Sequence, residues 1–415
     1  MGRAERHSAR PPLAVAEVEL GDGVATPAAA DARVFPPPHA RALVLVRCGG
    51  VPVGVVNVAL RDGRVRLEDV AAAVAADDEV RGRTAQERAR RWLLQNQPEP
   101  PPPALSWSVV ICTRDRAADL SRCLESLRPV DGIGGGEVIV VDNAPSDDST
   151  RAVVSATPFR YVRTPRGGLN HARAVGADAA SGDVLLYTDD DVVVDRGWVH
   201  ALLRGFDTPR VGAVTGLTMP SEVVTPAQHL FHDSGGHVRG FDETTCDRNT
   251  LPPAAAGRLG NGANMAFRRS LVQELRPFDA ELDGGTVTRS GGDTYAVYRV
   301  LAAGQAVRYT PGALVWHRDR RELAELREML HGYSVGVFAV LTRALVEHGD
   351  GDAVGVGLSW LRHHHARQLV RRLLRRPGAP PLNLLAAEWL GVALGPAAYL
   401  RARRAERRRA RERAA

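Results

Sequence analysis

The sequence predicts an α/β protein: a mostly parallel sheet flanked by helices, with a small N-terminal α+β domain before it and a helical C-terminal region after it. Three observations lead there. From residue 108 onward, short continuous apolar runs alternate with segments of helical periodicity, the pattern of strands buried on both faces. A Pro-rich stretch, QPEPPPPAL at 97–105, sets this region apart from what precedes it and reads as a stiff linker. Beyond residue 321 apolar positions recur at helical spacing with Arg interleaved.

The elements follow in order. Before the linker, RALVLVR and VGVVNVAL are strands joined through GGVP, and residues 67–76 and 84–95 are helices. This unit, 1–96, carries no evident chemistry and is expected to be an accessory or docking domain. After the linker come a strand at 108–112, a helix at 117–128, strands at 137–142 and 159–164, a helix at 169–180 and a strand at 183–189. The domain they open runs from 106 to 320, and the helical region from 321 to 415.

Composition narrows the function. A chain of 415 residues with 44% hydrophobic content can bury two or three cores. The net charge is +6 and there is no Lys. Fourteen Arg and three Glu lie between Leu361 and Ala415, so the rest of the chain is slightly acidic and the basic end points to an anionic surface. Aromatic content is 5% and the terminal Arg run holds no aromatic residue, which weighs against nucleic acid as the partner. The four Cys are far apart, without CxxC, which excludes a zinc framework or disulfide scaffold and suggests a reduced, cytoplasmic setting. The first fifteen residues lack an apolar core of signal-peptide type. Residues 382–400 are about long enough to span a membrane, but Glu388 and a Gly-Pro pair interrupt them, so a surface-lying or core helix is expected.

The chemistry lies at strand ends, where ligands of such sheets bind. Thr113, Arg114 and Asp115 follow the first strand of the sheet, Asp142 and Asn143 end the second, and Asp189, Asp190 and Asp191 end a later one. Three adjacent carboxylates repel one another, so a cation is expected among them, Mg²⁺ or Mn²⁺ with their preference for oxygen. Asp142 suits hydrogen bonds from a ribose or base, or a helix cap. GIGGGE at 132–137 precedes a strand rather than following one and is not a phosphate loop. Phosphate is then left to metal and Arg.

The ordered set SVVICTRDR, VIVVDN, GLNHARAVGADAASGDVLLYTDDD, GNGANMAFRR, GGDTYAVYR and VWHR resembles the family 2 inverting glycosyltransferases over roughly residues 106–320. The resemblance implies a GT-A-like nucleotide-sugar-binding fold. It implies that Asp142 and Thr113 bind the nucleotide, with Arg114, Arg173 and Asp190 on the donor side. Asp189 and Asp191 would form the DxD metal site, approached by His317, with Asp293 as general base. Gly262, Asn264 and Trp316 are candidates for sugar or acceptor contacts. In the family a Glu usually precedes the catalytic Asp; here that position is Gly292.

QAVRY at 305–309 mimics a motif of processive synthases but falls too soon after Asp293, so a non-processive hexosyltransferase is expected. Its partners would be a nucleotide-diphospho-sugar donor and a glycan, lipid-linked, peptide or small-molecule acceptor, in the cytoplasm or peripheral on the inner face of the cell membrane, in envelope glycan synthesis. A sugar nucleotidyltransferase is the rival enzyme, and a nucleic-acid-binding protein acting through the basic tail is the rival of another class.

Overall fold

In a computed structural model of the chain, residues 10–21, 25–26, 33–94, 103–128, 134–279, 281–282, 284–374, 376 and 379–414 are described. Residues 1–9, residues 97–102 of the expected linker and residues 132–133 of the Gly-rich loop lie outside them.

The first unit is a four-stranded sheet in the order β2-β1-β3-β4, made of β1 (Leu13–Leu20), β2 (Ala25–Thr26), β3 (Arg41–Cys48) and β4 (Val51–Ala59), with helices α1 (Leu67–Ala76) and α2 (Asp78–Leu94). Strand β1 went unread in the sequence. Its inward positions begin with Ala14 and Ala16, too small to stand out as an apolar period. Helix α2 starts earlier than expected because the Asp77 carboxylate accepts from the amides of Glu79 and Val80, a helix-start cap.

The second sheet contains β5 (Trp107–Thr113), β6 (Gly136–Asn143), β7 (Arg160–Thr164), β8 (Val184–Asp189), β9 (Val192–Val194), β10 (Val211–Pro220), β11 (Thr244–Cys246), β12 (Met265–Arg268) and β13 (Ala306–His317). Its order is β11-β13-β10-β12-β8-β5-β6-β7, with β9 on β13. Strands β7, β6, β5 and β8 are mutually parallel, as expected. Strand β12 is inserted antiparallel between β8 and β10, and β10 is parallel to β13, so the far half of the sheet is mixed.

Between the strands lie α3 (Ala117–Leu127), α4 (Ser149–Ser155), α5 (Leu169–Ala179), α6 (Trp198–Arg204), α7 (Pro226–Asp233), α8 (Arg269–Leu275) and α9 (Gly292–Ala302). The two-residue period of β5 sends Val109 and Ile111 into one core with Leu120, Leu124 and Trp198, and Val110 into another with Ala172, Tyr187 and Tyr295. Helices therefore cover both faces, and the loops at the strand ends are what remains open.

The C-terminal region holds α10 (Leu323–His348), α11 (Asp352–Trp360), a π-helical turn at Leu361–Ala366, α12 (Arg367–Leu373) and α13 (Leu382–Ala414). Helix α13 runs beside α10 in the same direction: Gly391 abuts Ser334, Gly395 abuts Phe338, and Arg403 pairs with Glu347 at 2.8 Å. Residues 382–400 are thus a helix packed on a helix, with Leu384, Leu385 and Tyr399 buried. Among the described residues α10 is the one helix long and apolar enough to cross a membrane, and half of its apolar window is buried.

The N-terminal sheet rests on the second one. Leu43 and Leu45 pack with Leu217, Met219 and Leu314. Arg47 reaches Asp195 at 2.5 Å and Arg83 reaches Asp242 at 2.8 Å.

Candidate active site

The carboxyl ends of β5 and β8 lie side by side, because Cys112 pairs with Asp189 in parallel register. The three aspartates after β8 then diverge in role. Asp190 turns inward: it accepts from Thr113 Oγ1 at 2.7 Å and from Arg116 Nη1 at 3.1 Å. Burial raises its carboxyl to about 6, outweighing Arg116. Both Asp190 oxygens are engaged, so it supports the site rather than offering ligand atoms.

Asp189 and Asp191 face the cleft instead. Asp189 lies 3.7 Å from Arg173 Nη2, and Asp191 lies 3.1 Å from Arg116 Nη1 and 3.4 Å from His317 Nε2. His317 Nδ1 is 3.0 Å from Asp319. Burial pulls the imidazole down, but the bond to Asp319 and the charge of Asp191 prevail and lift it to about 8. The ligand atoms of Asp189, Asp191 and His317 lie within 4.8 Å of one another. Two carboxylates and an imidazole at this spacing fit a hexacoordinate divalent cation with positions left for phosphate oxygens.

Arg173 projects from α5 and is 5% exposed. Its Nη2 would stand 2.5 Å from a Cβ at Gly262, so a side chain there would displace the guanidinium. The Gly262 amide donates to Asp293 Oδ2 at 2.8 Å, and the Thr294 amide to Oδ1 at 2.8 Å. Asp293 is therefore not the cap of α9: Gly291, at φ +105°, holds that position. The carboxylate is clamped from both sides. At Gly292 a Cβ would meet Asn170 at 2.1 Å. Asn170 donates to the carbonyls of Asp279 and Leu282, so an internal amide takes the space beside Asp293 that a larger residue at 292 would need.

Three expected contacts are placed elsewhere. Asn264 is 0% exposed and fully engaged. Its amide donates to the carbonyls of Leu217 and Ala313 and accepts from Trp198 Nε1 at 2.9 Å, filling the irregularity where β10 and β13 slip register between Gly216 and Leu217. It has no group left for a sugar. Trp316 packs with Leu43 and Leu314 under the N-terminal sheet, away from the cleft. Asp142 is 0% exposed and accepts from Tyr161 Oη at 2.7 Å, while its neighbour Asn143 lines the cleft. Arg114 lines the cleft with its side chain 60% exposed, 3.8 Å from Asp115.

Other residues escaped the sequence reading. Arg116, the second Arg of CTRDR, bridges Asp190 and Asp191; the motif was read only as far as Asp115. Asp319, two residues past His317, was within reach of the WHRD motif. Asn261, which accepts from the Ala263 amide at 3.1 Å and lines the cleft, carried no signal beyond its glycine neighbours. The cleft joining these groups measures about 2120 Å³. Its other wall is helical, with Tyr333 from α10 and Glu388 from α13.

Residues 108–276 match the family described as Glycosyl transferase family 2. The chain is 28% identical over 312 residues to a pre-mycofactocin glycosyltransferase of Mycobacterium tuberculosis, covering 70% of this chain and 59% of that one. It is 29% identical over 227 residues to the succinoglycan biosynthesis protein ExoM of Rhizobium meliloti, covering 52% of this chain and 67% of that one. The chain thus spans about three fifths of the length of the first relative. A mannosyltransferase from Pyrobaculum calidifontis, solved with GDP-Man and Mn²⁺, aligns with 80% of this chain and 99% of its own at 18% identity and a TM-score of 0.49. The likeness to glycosyltransferase family 2 is thus carried by residues 108–276.

Proposed function

We propose that the chain is a non-processive, inverting glycosyltransferase that moves a hexose from a nucleotide-diphosphate donor to an acceptor hydroxyl. The observation that carries this reading is the meeting of Asp189, Asp191, His317, Arg173 and Asp293 on one cleft. Thr113, Asn143 and Arg114 border the nucleotide side, with Asp142 beneath it. Arg173, 3.7 Å from Asp189, would hold the diphosphate. Mg²⁺ or Mn²⁺ on Asp189, Asp191 and His317 would neutralise charge on the departing diphosphate.

Asp293 has the orientation of a base. Its two oxygens are fixed by backbone amides and keep lone pairs free to take the acceptor proton. The acceptor oxygen then attacks the anomeric carbon as the bond to diphosphate breaks, which inverts the configuration. The names of the relatives, a pre-mycofactocin enzyme and a succinoglycan protein, differ in product, so glycan, lipid-linked, peptide and small-molecule hydroxyls all belong in an acceptor screen. The N-terminal sheet serves as an accessory unit that buttresses β10 and β13. A cytoplasmic enzyme peripheral on an anionic membrane accounts for the exposed Arg401, Arg404, Arg407, Arg408 and Arg411 along α13.

A screen of nucleotide sugars, reading nucleoside diphosphate release with Mn²⁺ and with EDTA, tests the proposal. Release from one donor that rises with acceptor and stops with EDTA is expected. Undiminished release in EDTA would remove the metal, and no release from any donor would overturn the reading.

A further inference from the structure

A second group of ligating side chains sits on the helical side of the molecule. His364, His365 and Glu388 each offer one ligand atom, all within 4.8 Å of one another. His364 Nε2 stands 3.3 Å from Glu388 Oε1, about the edge of a tetrahedron whose centre lies ~2.0–2.1 Å from each donor. The Gln368 amide is 3.2 Å from His364 Nε2. Rotating that amide by half a turn would present its oxygen as a fourth donor.

Independent features point the same way. His365 is 0% exposed, and neither ring nitrogen has a hydrogen-bond partner. Buried imidazoles are rarely left so, because an unpaired buried polar group is costly. Trp360 and Trp389 flank this ring and exclude water from it. Glu388 is 5% exposed, and among the described residues its ion-pair partner is His364, with no guanidinium in contact. The π-helical turn at Leu361–Ala366 brings two successive histidines to α13, and such widened turns are frequent at functional sites.

We propose that His364, His365 and Glu388 form a binding site for a borderline divalent cation of the zinc type, separate from the aspartate set. Two imidazoles and one carboxylate suit zinc, whereas Mg²⁺ selects oxygen. Such an ion ties the π-helical turn to α13. Because His364, Gln368 and Glu388 also line the large cleft, the ion would shape the wall that faces the aspartates.

The test uses the full chain without a polyhistidine tag, stripped with chelator and returned to millimolar Mg²⁺ so that the aspartate set is filled. Zinc is then titrated against a chromogenic chelator. One zinc ion per chain is expected, with Asp191→Asn still binding it. His365→Ala and Glu388→Gln should each weaken it by about 100-fold or more, since even outer-sphere partners of a metal site count for 10–100-fold. Absence of stoichiometric zinc, or unchanged affinity in both variants, overturns the site. Should the variants not fold, Co²⁺ added to the wild-type protein decides. Intense visible bands of a four-coordinate N/O site support the proposal, and weak six-coordinate bands alone overturn it.

Discussion

The two walls of the cleft are built by different physics. The strand-end wall presents Thr113 and Asp189–Asp191 through parallel register, in which each residue's direction follows from the pleat. The helical wall presents Tyr333 and Glu388 through the packing of α10 and α13, whose contacting residues are separated by about sixty positions. The first wall concentrates charge that the fold must tolerate. Behind the second lie ion pairs that hold the fold together, with Arg343 of α10 at 2.6 Å from Asp279, 3.5 Å from Glu281 and 3.1 Å from Glu347. Changes in the first wall should therefore cost chemistry, and changes in the second should cost stability.

The largest expected effect sharpens that contrast. Asp293→Asn should lower the transfer rate roughly 10²–10⁴-fold while donor binding persists. Because both oxygens accept from backbone amides, one of them will then face an NH₂, and the melting temperature should also drop by a few degrees. Single-turnover assays and calorimetry separate the two. Retained rate per folded molecule would assign Asp293 to structure.

Next comes Asp191→Asn, for which a loss of roughly a hundredfold or more in turnover is expected at an unchanged unfolding midpoint. Full activity in this variant, or in EDTA, would remove the metal from the strand-end wall.

The ion pairs behind the helical wall should respond in the opposite way. Arg343→Met leaves Asp279, Glu281 and Glu347 without their shared guanidinium, and a cost of about 3 kcal/mol in unfolding free energy is expected. The rate per folded molecule should hold. A lost rate at unchanged stability would erase the distinction between the walls.

Farther along α13, Arg407→Gln with Arg408→Gln should weaken binding to anionic vesicles about tenfold, an effect that high salt should reproduce in the wild-type chain. Equal vesicle binding by the double variant would dispose of the peripheral membrane role.

The smallest effect is a slope. Burial, then Asp279, lift the Glu281 carboxyl to about 7. A carboxyl raised by folding favours the folded state while protonated, so its contribution is full below its ordinary value of 4.5 and is lost as pH rises through about 7. Urea unfolding between pH 4.5 and 7 should show stability falling with pH, and Glu281→Gln should flatten that fall. An identical slope in the variant would place the titration elsewhere.

Much of the strand-end wall was legible because its signals are local. Apolar runs of five or six residues, separated by helical periods, fix the β-α alternation, and the residue after each run must then lie at a carboxyl end. That logic reached Thr113, Asp142 and Asp189–Asp191 from the sequence. It failed where two equivalent residues compete. Arg114 and Arg116 look alike in CTRDR, and only the fold shows Arg116 aimed at Asp190 and Asp191. It failed again at Asn264, whose polar side chain suggested a sugar ligand. The register slip between β10 and β13 leaves carbonyls there that Asn264 satisfies.

By itself the sequence determined the class of sheet, the strand-end edge on which the candidate residues gather, and the motifs that resemble family 2 glycosyltransferases, since each depends on spacings of a few residues. Only the tertiary structure decided that Asp190 is a support and not a ligand. The same holds for the Gly262 loop that clamps Asp293, the Asn170 amide that crowds Gly292, and the approach of His365 to Glu388. Those outcomes join segments 23 to 122 positions apart, and no local period records which side chains a folded core will press together.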